Sequence, residues 1–380
     1  MRFIIATVVG FVAWLGASPV LAQGDADSSE PFKLGTFQVD AGPQVGIVVQ
    51  DRYVIELNRG NEALQVNPAY AQVSMPANML ELVGQYEYGL KYRIYEIVAD
   101  AAMHNRLSGP RRAAYVHDVD DIRTLAPILY PGKILNAAGN FYSHVCEGCT
   151  AEEQAESDRQ HRENRGIPYL FLKPSRGAVI GTGESVIIPP GRDRIDWEVE
   201  FGTVIGRPAS YISAAEAQDY VFGYMVTIDI SDRGGRPEGG SDWFVGKGHN
   251  SFAPQGPWIV PKEFYGNPME RLHQQLTIDG VTVQEATAGD MIHSIWELME
   301  YASSIITLFP GDVLNSGTSG GTSSGAFAEG TRSGYLQAGE VIEATIEGIG
   351  TLRMPTVAGE PLPDGHSGSQ LPPVNTYRDN

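Results

Sequence analysis

Two patterns of hydrophobic positions divide the chain. Apolar side chains recur every three or four residues from 79 to 104, in MLELVGQYEYGLKYRIYEIVADAAMH, and this period predicts an amphipathic helix. From residue 169 onwards, short β-type runs alternate with Gly and Pro, which predicts a folded-over sheet or barrel-like β core. The runs are YLFLKP, GAVIG, SVIIPP, WEVEFGTVIG, GYMVTIDIS, GPWIVP, HQQLTIDG, VTVQEA, DVLNSGT and EVIEATIEGIGTLRMPTV.

These patterns give a provisional organisation. Residues 33 to 57 read as short strands joined by turn residues, and they precede the predicted helix. We therefore expect an α+β, β-rich chain with a small N-terminal α/β domain at 33–125 and a larger mixed β-sheet domain at 126–357. A tail rich in Pro, Gly and Ser follows at 358–380.

Two further helices are predicted inside the β-rich part. SAAEAQDY begins with Ser213 and Glu216 at the spacing of a capping box, and MIHSIWELMEYASSII has helical period. The segment AEEQAESDRQHRENRG, at 151–166, is highly charged and has no apolar face. Such a segment predicts a solvated helix or a mobile lid.

The first residues predict export. A cation at Arg2 precedes an apolar stretch that runs to about Gly16, and small residues end at Ala22, which is the pattern of a signal peptide at 1–22. The alternative is an uncleaved anchor, but the apolar run is shorter than the ~20 residues of a spanning helix. We expect a soluble periplasmic or secreted protein that does not bind membranes after cleavage.

The composition limits the partners. The chain is 42% hydrophobic and 19% charged, as in ordinary globular proteins. Its 27 Lys and Arg face 46 Asp and Glu, for a net charge of −19. An acidic chain repels phosphate backbones, so we expect no nucleic-acid partner.

The two cysteines, Cys146 and Cys149, lie in HVCEGC. In an oxidising compartment a C-x-x-C pair can close as a small disulfide, whereas free thiols and redox chemistry are the alternatives. Zinc fits poorly because no second Cys/His pair lies at ligand spacing.

Two carboxylates share one face of an apolar run. Glu198 and Glu200, in DWEVEFGTVI, lie at i and i+2, so a strand points both to the same side. If this strand lay at the edge of a sheet with that face toward water, the two carboxylates would need no functional explanation. A third isolated carboxylate, Asp229 in YMVTIDISDR, changes this balance, because three oxygen donors from neighbouring strands suit Mg²⁺ or Mn²⁺.

Seven ordered blocks that follow residue 130 give the chain a resemblance to the fumarylacetoacetate hydrolase family. They are GNFYSHVCE, YLFLKPSRGAVIGTG, DWEVEFGTVIG, GYMVTIDISDR, DWFVGKGHNSFAPQGPWIV, FPGDVLNSGTSGG and YLQAGEVIEATIEGIGTL. The resemblance implies the family's mixed β roll as the catalytic domain. It also implies that Glu198, Glu200 and Asp229 are the metal ligands, in agreement with the reasoning from the strands.

The resemblance further implies a catalytic His–Glu dyad. His144 and Glu147, three residues apart, share one face of a helical turn, although such a pair on a surface is more often only solvated. In the family the carboxylate orients the imidazole on a lid above the metal, and the imidazole takes a proton from water. If Cys146 and Cys149 are joined, the disulfide would stiffen this turn and position Glu147.

Four more residues are candidates for the site, and one of them departs from the family pattern. Lys247 resembles the lysine that holds the substrate enolate or carboxylate, and Arg233 resembles an arginine near the substrate. Thr318, in NSGTSGG, could offer its hydroxyl and neighbouring N–H groups to a substrate oxyanion. Phe141 stands where the family often has Tyr, and we place it with the substrate-binding residues. Without the resemblance, a surface arginine and loop residues would be the ordinary interpretations.

The implied function is metal-dependent hydrolysis of a C–C bond in acylpyruvate-like or other β-dicarbonyl and 2-oxo acids. Decarboxylation, hydration or isomerisation of 2-oxo acids on the same scaffold is one alternative. A non-catalytic exported binding protein is another, and it predicts a degraded lid or ligand set. The family also implies a homodimer, for which the composition gives no independent support.

Overall fold

The computed structural model describes residues 30–235, 242–328 and 334–366. The predicted signal peptide at 1–22 lies outside these residues, as does the predicted tail from 367 onwards. Runs of consecutive strands are separated by short helices, which confirms the predicted α+β, β-rich class. No helix in the described part of the chain is long and apolar enough to cross a bilayer.

The strands follow the predicted apolar runs. They are β1 (Phe32–Val39), β2 (Gly42–Val49), β3 (Tyr53–Glu56), β4 (Val116–Asp118), β5 (Arg123–Leu125), β6 (Ile134–Ala137), β7 (Leu170–Lys173), β8 (Val179–Ile180), β9 (Val186–Ile188), β10 (Ile195–Asp196), β11 (Val199–Ile205), β12 (Val221–Ile228), β13 (Ser231–Asp232), β14 (Ala253–Pro261), β15 (His273–Ile278), β16 (Val281–Thr287), β17 (Val313–Thr318), β18 (Val341–Ile346) and β19 (Gly350–Ala358).

Short α-helices connect these strands. They are α1 (Leu57–Leu64), α2 (Met79–Gln85), α3 (Lys91–Met103), α4 (Ala151–Glu163), α5 (Trp243–Lys247), α6 (Lys262–Tyr265), α7 (Pro268–Arg271), α8 (Ile295–Ile305) and α9 (Ser323–Ala328).

A large mixed sheet forms the centre of the molecule. Its strand order is β4-β3-β2-β1-β14-β12-β11-β17-β6-β7, with β5 beside β1 and β8 beside β14. A second sheet has the order β16-β15-β18-β19-β9, and a small β10-β13 pair lies apart from both. The described strands form open sheets and no closed barrel, so of the two predicted forms the folded-over sheet is correct.

Two hydrophobic cores cover the faces of the large sheet. One contains Phe201 and Val226 with Leu276 and Leu352 of the second sheet, so the two sheets pack face to face. The other packs helices α2 and α3 on the remaining face, where Ile94 meets strand residues. The central strands are therefore covered on both sides, and a charged group there is removed from water.

The N-terminal strands belong to the same large sheet. Leu34 of β1 pairs with Ile259 of β14 in antiparallel register, so hydrogen bonding continues from the N-terminal strands into the β-rich part. The division into domains at 33–125 and 126–357 stays a prediction.

The predicted helix at 79–104 forms in two pieces. Helices α2 and α3 are joined by a π-helical turn, Tyr86–Leu90, in which Gly89 has a φ of 116°. The positive φ suits glycine, which has no Cβ to clash there. The predicted helical period is thus correct, but the helix is interrupted at a residue that a continuous helix disfavours.

The predicted helix in SAAEAQDY does not form as an α-helix. The N–H of Ser213 donates to the carboxylate of Glu216 at 3.1 Å, which is one of the two hydrogen bonds of a capping box, but only a 3₁₀ turn, Ala217–Tyr220, follows. The chain must enter the central strand β12 at Val221, so the segment is too short to continue as a helix. The other prediction is confirmed, because α8 forms with a complete capping box from Ser294.

Candidate active site

The acidic residues meet at one end of two central strands. Val199 of β11 pairs with Ile228 of β12, and the N–H of Asp229 donates to the carbonyl of Glu198 at 2.8 Å. Strand β11 lies between β12 and β17 in the large sheet. This rules out the edge-strand explanation of the carboxylates, because β11 has a paired strand on both sides and Glu198 and Glu200 are buried.

Glu198, Glu200 and Asp229 form an acidic triad. Each offers a carboxylate oxygen, and these oxygens lie within 4.8 Å of one another. The residues are 3%, 1% and 1% exposed. Burial, and then the negative charges of Asp229 and Glu198, raise the pKa of Glu200 well above its ordinary value. Three crowded buried oxygens fit a hard divalent cation, which would remove this repulsion.

Two buried lysines contact the triad. The Nζ of Lys247 lies 2.7 Å from Glu198 and 2.5 Å from Asp229. Lys173 forms an ion pair with Asp229 and also donates to the carbonyl of Ile230 at 2.8 Å. Both cations keep part of the negative charge compensated in a region that excludes water.

Arg233 completes the cation set. Its Nε donates to Asp196 at 3.0 Å, and its guanidinium also forms an ion pair with Glu198. Burial alone would raise the pKa of Glu198, but the positive charges of Arg233 and Lys247 hold it well below its ordinary value. Glu200 instead receives a backbone hydrogen bond from Gly317 at 3.0 Å.

With every carboxylate ionised, the charges of this cluster do not balance. Its carboxylates are Asp196 and the acidic triad, and its cations are Lys173, Arg233 and Lys247, so acids outnumber lysine and arginine by one among the described residues. A divalent cation in the triad would reverse the sign and leave a site that attracts an anion.

The predicted His–Glu dyad forms. The Nδ1 of His144 lies 2.7 Å from Oε2 of Glu147, which leaves Nε2 as the nitrogen that can accept a proton. Burial disfavours the imidazolium, but the hydrogen bond that Nδ1–H donates to Glu147 and the charge of Glu198 raise the pKa of His144 overall.

Glu147 is fixed on its other side by the loop that follows β17. Its Oε1 accepts from the N–H of Gly321 at 2.5 Å and of Thr322 at 2.9 Å, and its Oε2 accepts from the hydroxyl of Thr322 at 2.6 Å. A Cβ at Gly325 would lie 2.2 Å from the same carboxylate. Only glycine therefore permits this approach.

The cysteines are joined. Cys146 and Cys149 form a disulfide with a Cα–Cα distance of 5.4 Å, which closes a small ring around Glu147. The structure therefore selects the disulfide among the three alternatives. Helix α4 follows, with Thr150 in a capping box and no buried side chain, so the charged segment is a solvated helix.

A cavity of about 230 Å³ unites most of the predicted residues. Thr318 lines it, but its hydroxyl donates to the carbonyl of Val199 at 2.9 Å and accepts from Gln284 at 2.9 Å. Phe141 is fully buried in the core and is not among the lining residues. The lining residues are Ala137, Ala138, Gly139, His144, Phe171, Glu198, Glu200, Asp229, Arg233, Trp243, Lys247 and Thr318.

Sequence reasoning missed several neighbours of the site. Lys173 carried a usable signal, because it is a lone cation at the end of the apolar run YLFLK. Asp196 lies two residues before Glu198, and nothing in the sequence marked it as a separate member of the site. Phe171 and Trp243 carried no signal, since an aromatic residue in a strand or loop is ordinarily part of a core.

Comparisons with known proteins agree with this site. An alignment with 2,4-didehydro-3-deoxy-L-rhamnonate hydrolase of a Sphingomonas species is 37% identical over 186 residues, covering 49% of this chain and 64% of that protein. The aligned part thus spans less than two thirds of that relative.

Two solved structures have the same fold. The 2-hydroxyhepta-2,4-diene-1,7-dioate isomerase of Mycobacterium marinum has a TM-score of 0.59 and 25% identity, covering 86% of this chain and 98% of that one. Maleylpyruvate hydrolase of a Sphingobium species, solved with manganese(II) and pyruvate, has a TM-score of 0.62 and 24% identity, covering 86% and 100%.

The family comparison covers the whole candidate site. The profile described as fumarylacetoacetate (FAA) hydrolase C-terminal matches residues 133–357, which is more than half of the 380 residues. This span contains the acidic triad, the His–Glu dyad and the cations around them. The chain therefore belongs to the fumarylacetoacetate hydrolase family.

Proposed function

We propose that the protein is a divalent-metal-dependent hydrolase that cleaves a C–C bond in acylpyruvate-like or other β-dicarbonyl 2-oxo acids. One observation carries the proposal: a single cavity of about 230 Å³ is lined both by the acidic triad and by the imidazole of the His–Glu dyad. The name of the rhamnonate hydrolase relative and the pyruvate in the maleylpyruvate hydrolase structure are consistent with it.

Glu198, Glu200 and Asp229 would hold the metal, which is Mg²⁺ or Mn²⁺ by the oxygen-only donor set. When bound, the ion supplies Lewis-acid polarisation of a substrate carbonyl and stabilises developing negative charge. The cluster then carries excess positive charge, so Arg233 and Lys247 are suited to orient a substrate carboxylate.

His144 is the proposed general base. Its Nε2 takes a proton from water while Glu147 holds Nδ1–H and stabilises the imidazolium. The water oxygen bonds to the acyl carbonyl carbon, and the bond from that carbon to the methylene breaks. The electron pair stays on the methylene side as an enolate, which His144 reprotonates. One water is consumed, and the products are a carboxylic acid and a 2-oxo acid that ends in a methyl group.

A second candidate is isomerisation or decarboxylation of a 2-oxo acid. The isomerase with the same fold favours it. These reactions do not require an activated water, so they would not need an imidazole that Glu147 holds ready to take a proton from water. An intact dyad and triad also argue against a non-catalytic binding protein.

The test is a substrate screen with purified protein and Mg²⁺, using acylpyruvates, fumarylpyruvate and oxaloacetate. We expect hydrolysis of acylpyruvates, a loss of about 10²–10⁴-fold in His144→Ala and no activity in Glu198→Ala. The exposed residues His104 and Glu347 provide matched control variants, His104→Ala and Glu347→Ala, with normal rates. Oxaloacetate decarboxylation that survives in His144→Ala would instead support the second candidate.

We further propose that the protein acts outside the cytoplasm and as a homodimer. The Cys146–Cys149 disulfide supports the first part, because disulfides persist in oxidising compartments. Fractionation of the producing cells tests the location, and light scattering tests the dimer.

A further inference from the structure

Two aromatic side chains line the active-site cavity. Phe171, in the edge strand β7, and Trp243, at the start of α5, stack with ring centroids 4.5 Å apart and planes 29° apart. Tyr169 packs edge-on against the Trp243 ring at 5.7 Å. We call these three side chains the aromatic wall. Because a strand and a helix hold its two sides, the wall is formed before any substrate binds.

The aromatic wall is joined to the charged part of the site. Lys247, which bonds to Glu198 and Asp229, also lies with Nζ 5.1 Å from the centre of the Phe171 ring. Trp243 and Lys247 are four residues apart in α5, a spacing that places two side chains on one face of a helix. The helix therefore presents the indole and the catalytic-site ammonium together.

The remaining surface of the cavity is polar or made of small residues. Apart from Phe171 and Trp243, its lining side chains are Ala, Gly, Thr or ionisable groups. Trp243 is nonetheless 42% exposed. A large flat apolar surface left open beside a polar site is suited to receive a flat apolar group, because burying it against such a partner is favourable.

The volume of the cavity limits how much of a substrate can fit inside it. A volume of about 230 Å³ holds roughly seven or eight waters at about 30 Å³ each, and a 2-oxo acid head already has about six non-hydrogen atoms. An adjoining cavity of about 300 Å³ shares Arg233, Trp243 and Lys247 with the first. A substituent longer than a methyl group has room along Trp243, whereas the other adjoining cavity, of about 190 Å³, joins the first at Ala137, Ala138 and Gly139, which carry no aromatic ring.

We propose that the aromatic wall is a specificity subsite for a flat aromatic acyl group, so that the preferred substrates are 4-aryl-2,4-dioxobutanoates rather than their short alkyl analogues. This inference rests on the proposed hydrolase function for its reaction. Water adds to the aryl-bearing carbonyl, the C–C bond to the methylene breaks, and an arenecarboxylate, pyruvate and one proton are released.

Two measurements test the subsite. With Mg²⁺ present, the ratio of kcat/KM for 4-phenyl-2,4-dioxobutanoate to that for 2,4-dioxopentanoate is expected to exceed about 10 in the wild type. Trp243→Leu is expected to lower this ratio by about 3- to 10-fold, while Trp243→Phe, which keeps a stacking ring, retains most of it. Calorimetric binding of the same two acids to His144→Ala measures the preference without turnover.

A matched control lies next to Trp243. Phe244 is 77% exposed and lines neither cavity, so Phe244→Leu is expected to leave the ratio unchanged. Circular dichroism of each variant checks that it is folded. Equal cleavage of both acids, or an unchanged ratio in folded Trp243→Leu, overturns the subsite while the hydrolase function stands. If neither acid is cleaved, the hydrolase function fails, and the two binding constants still decide the subsite.

Discussion

At the scale of the residue, two glutamates on one strand have opposite environments. Glu198 is bonded by Arg233 and Lys247, whereas Glu200 has a backbone N–H from Gly317 as its hydrogen-bond donor in the described structure. The first has a lowered pKa and the second a raised one, with burial acting on both. The site is thus short of one positive partner at Glu200, where a metal ion would supply it.

The dyad makes a prediction about pH. The general base must be neutral to accept a proton, so kcat/KM should rise as the pH increases through the raised pKa of His144. The hydrogen bond to Glu147 contributes to raising this pKa. In Glu147→Gln that contribution is lost, so the acidic limb of the profile should move to lower pH while kcat/KM falls by about 10²-fold. The check is the pH dependence of kcat/KM at saturating Mg²⁺.

A nearby carboxylate provides the control for this profile. Glu152 is exposed in α4, and Glu152→Gln should leave both the limb and the rate unchanged. An acidic limb that stays in place in Glu147→Gln would contradict the assignment of His144 as the base.

The sequence identified much of this site at the residue scale and missed part of it. The i, i+2 spacing placed Glu198 and Glu200 on one face, and the three-residue spacing brought His144 within reach of Glu147. Lys173 stood out as a lone cation, but its contact with Asp229 could not be predicted, because β7 reaches the site through pairing with β6 rather than through any local spacing. The period of hydrophobic positions along the sequence carries no information on contacts between distant segments.

At the scale of the element, the turn that carries the dyad is held at both ends. Ser143 receives the N–H of Gly320 at 2.8 Å and donates to Asp290, while Glu147 is bonded by Gly321 and Thr322. The Cys146–Cys149 disulfide closes the turn around Glu147. The imidazole is therefore positioned by loops, whereas the triad is positioned by strands.

The disulfide makes the second prediction. Reduction, or the double variant Cys146→Ser/Cys149→Ser, should lower kcat by about 10-fold, because a loosened Glu147 no longer holds the imidazole in one orientation. Reoxidation of the reduced wild type should restore the rate, and the affinity for Mn²⁺ should not change. Full turnover by the reduced enzyme would show that the backbone bonds to Glu147 are sufficient alone.

Short elements were the least predictable. Helix α5 has five residues, Trp243–Lys247, which is too short for a period to show, yet it carries both the lysine that contacts the acidic triad and the exposed indole. The predicted helix after Ser213 failed for the related reason that the following strand begins too soon. Long periodic segments such as α8 were predicted correctly because many positions repeat the same signal.

At the scale of the whole molecule, one sheet links the N-terminal strands to the site. Leu34 of β1 pairs with Ile259 of β14, whose neighbour β12 ends at Ile228, the residue before Asp229. The sequence predicted the strands, but it could not predict this order, because pairing partners more than two hundred residues apart leave no local pattern. The acidic net charge excluded nucleic acid as an expected partner but gave no information on topology.

This continuity makes the third prediction. Leu34 is fully buried at the junction, so Leu34→Ala should lower the free energy of unfolding by about 2–5 kcal/mol. Calorimetry should show a single transition for the whole described chain, because both parts share the sheet. Val66 is 83% exposed, and Val66→Ala should have little effect. Two separate transitions, with only the first shifted by Leu34→Ala, would mean that 33–125 folds independently.

The most direct test of the central claim is calorimetric titration of the chelator-treated protein with Mn²⁺, without substrate. We predict one ion per chain in the wild type and an affinity at least about 100-fold weaker in Glu200→Gln, because the buried oxygens of Glu198, Glu200 and Asp229 would share the ion. The exposed control Glu347→Gln should bind as the wild type does. Absence of binding in the wild type, or equal affinity in Glu200→Gln, would contradict the account.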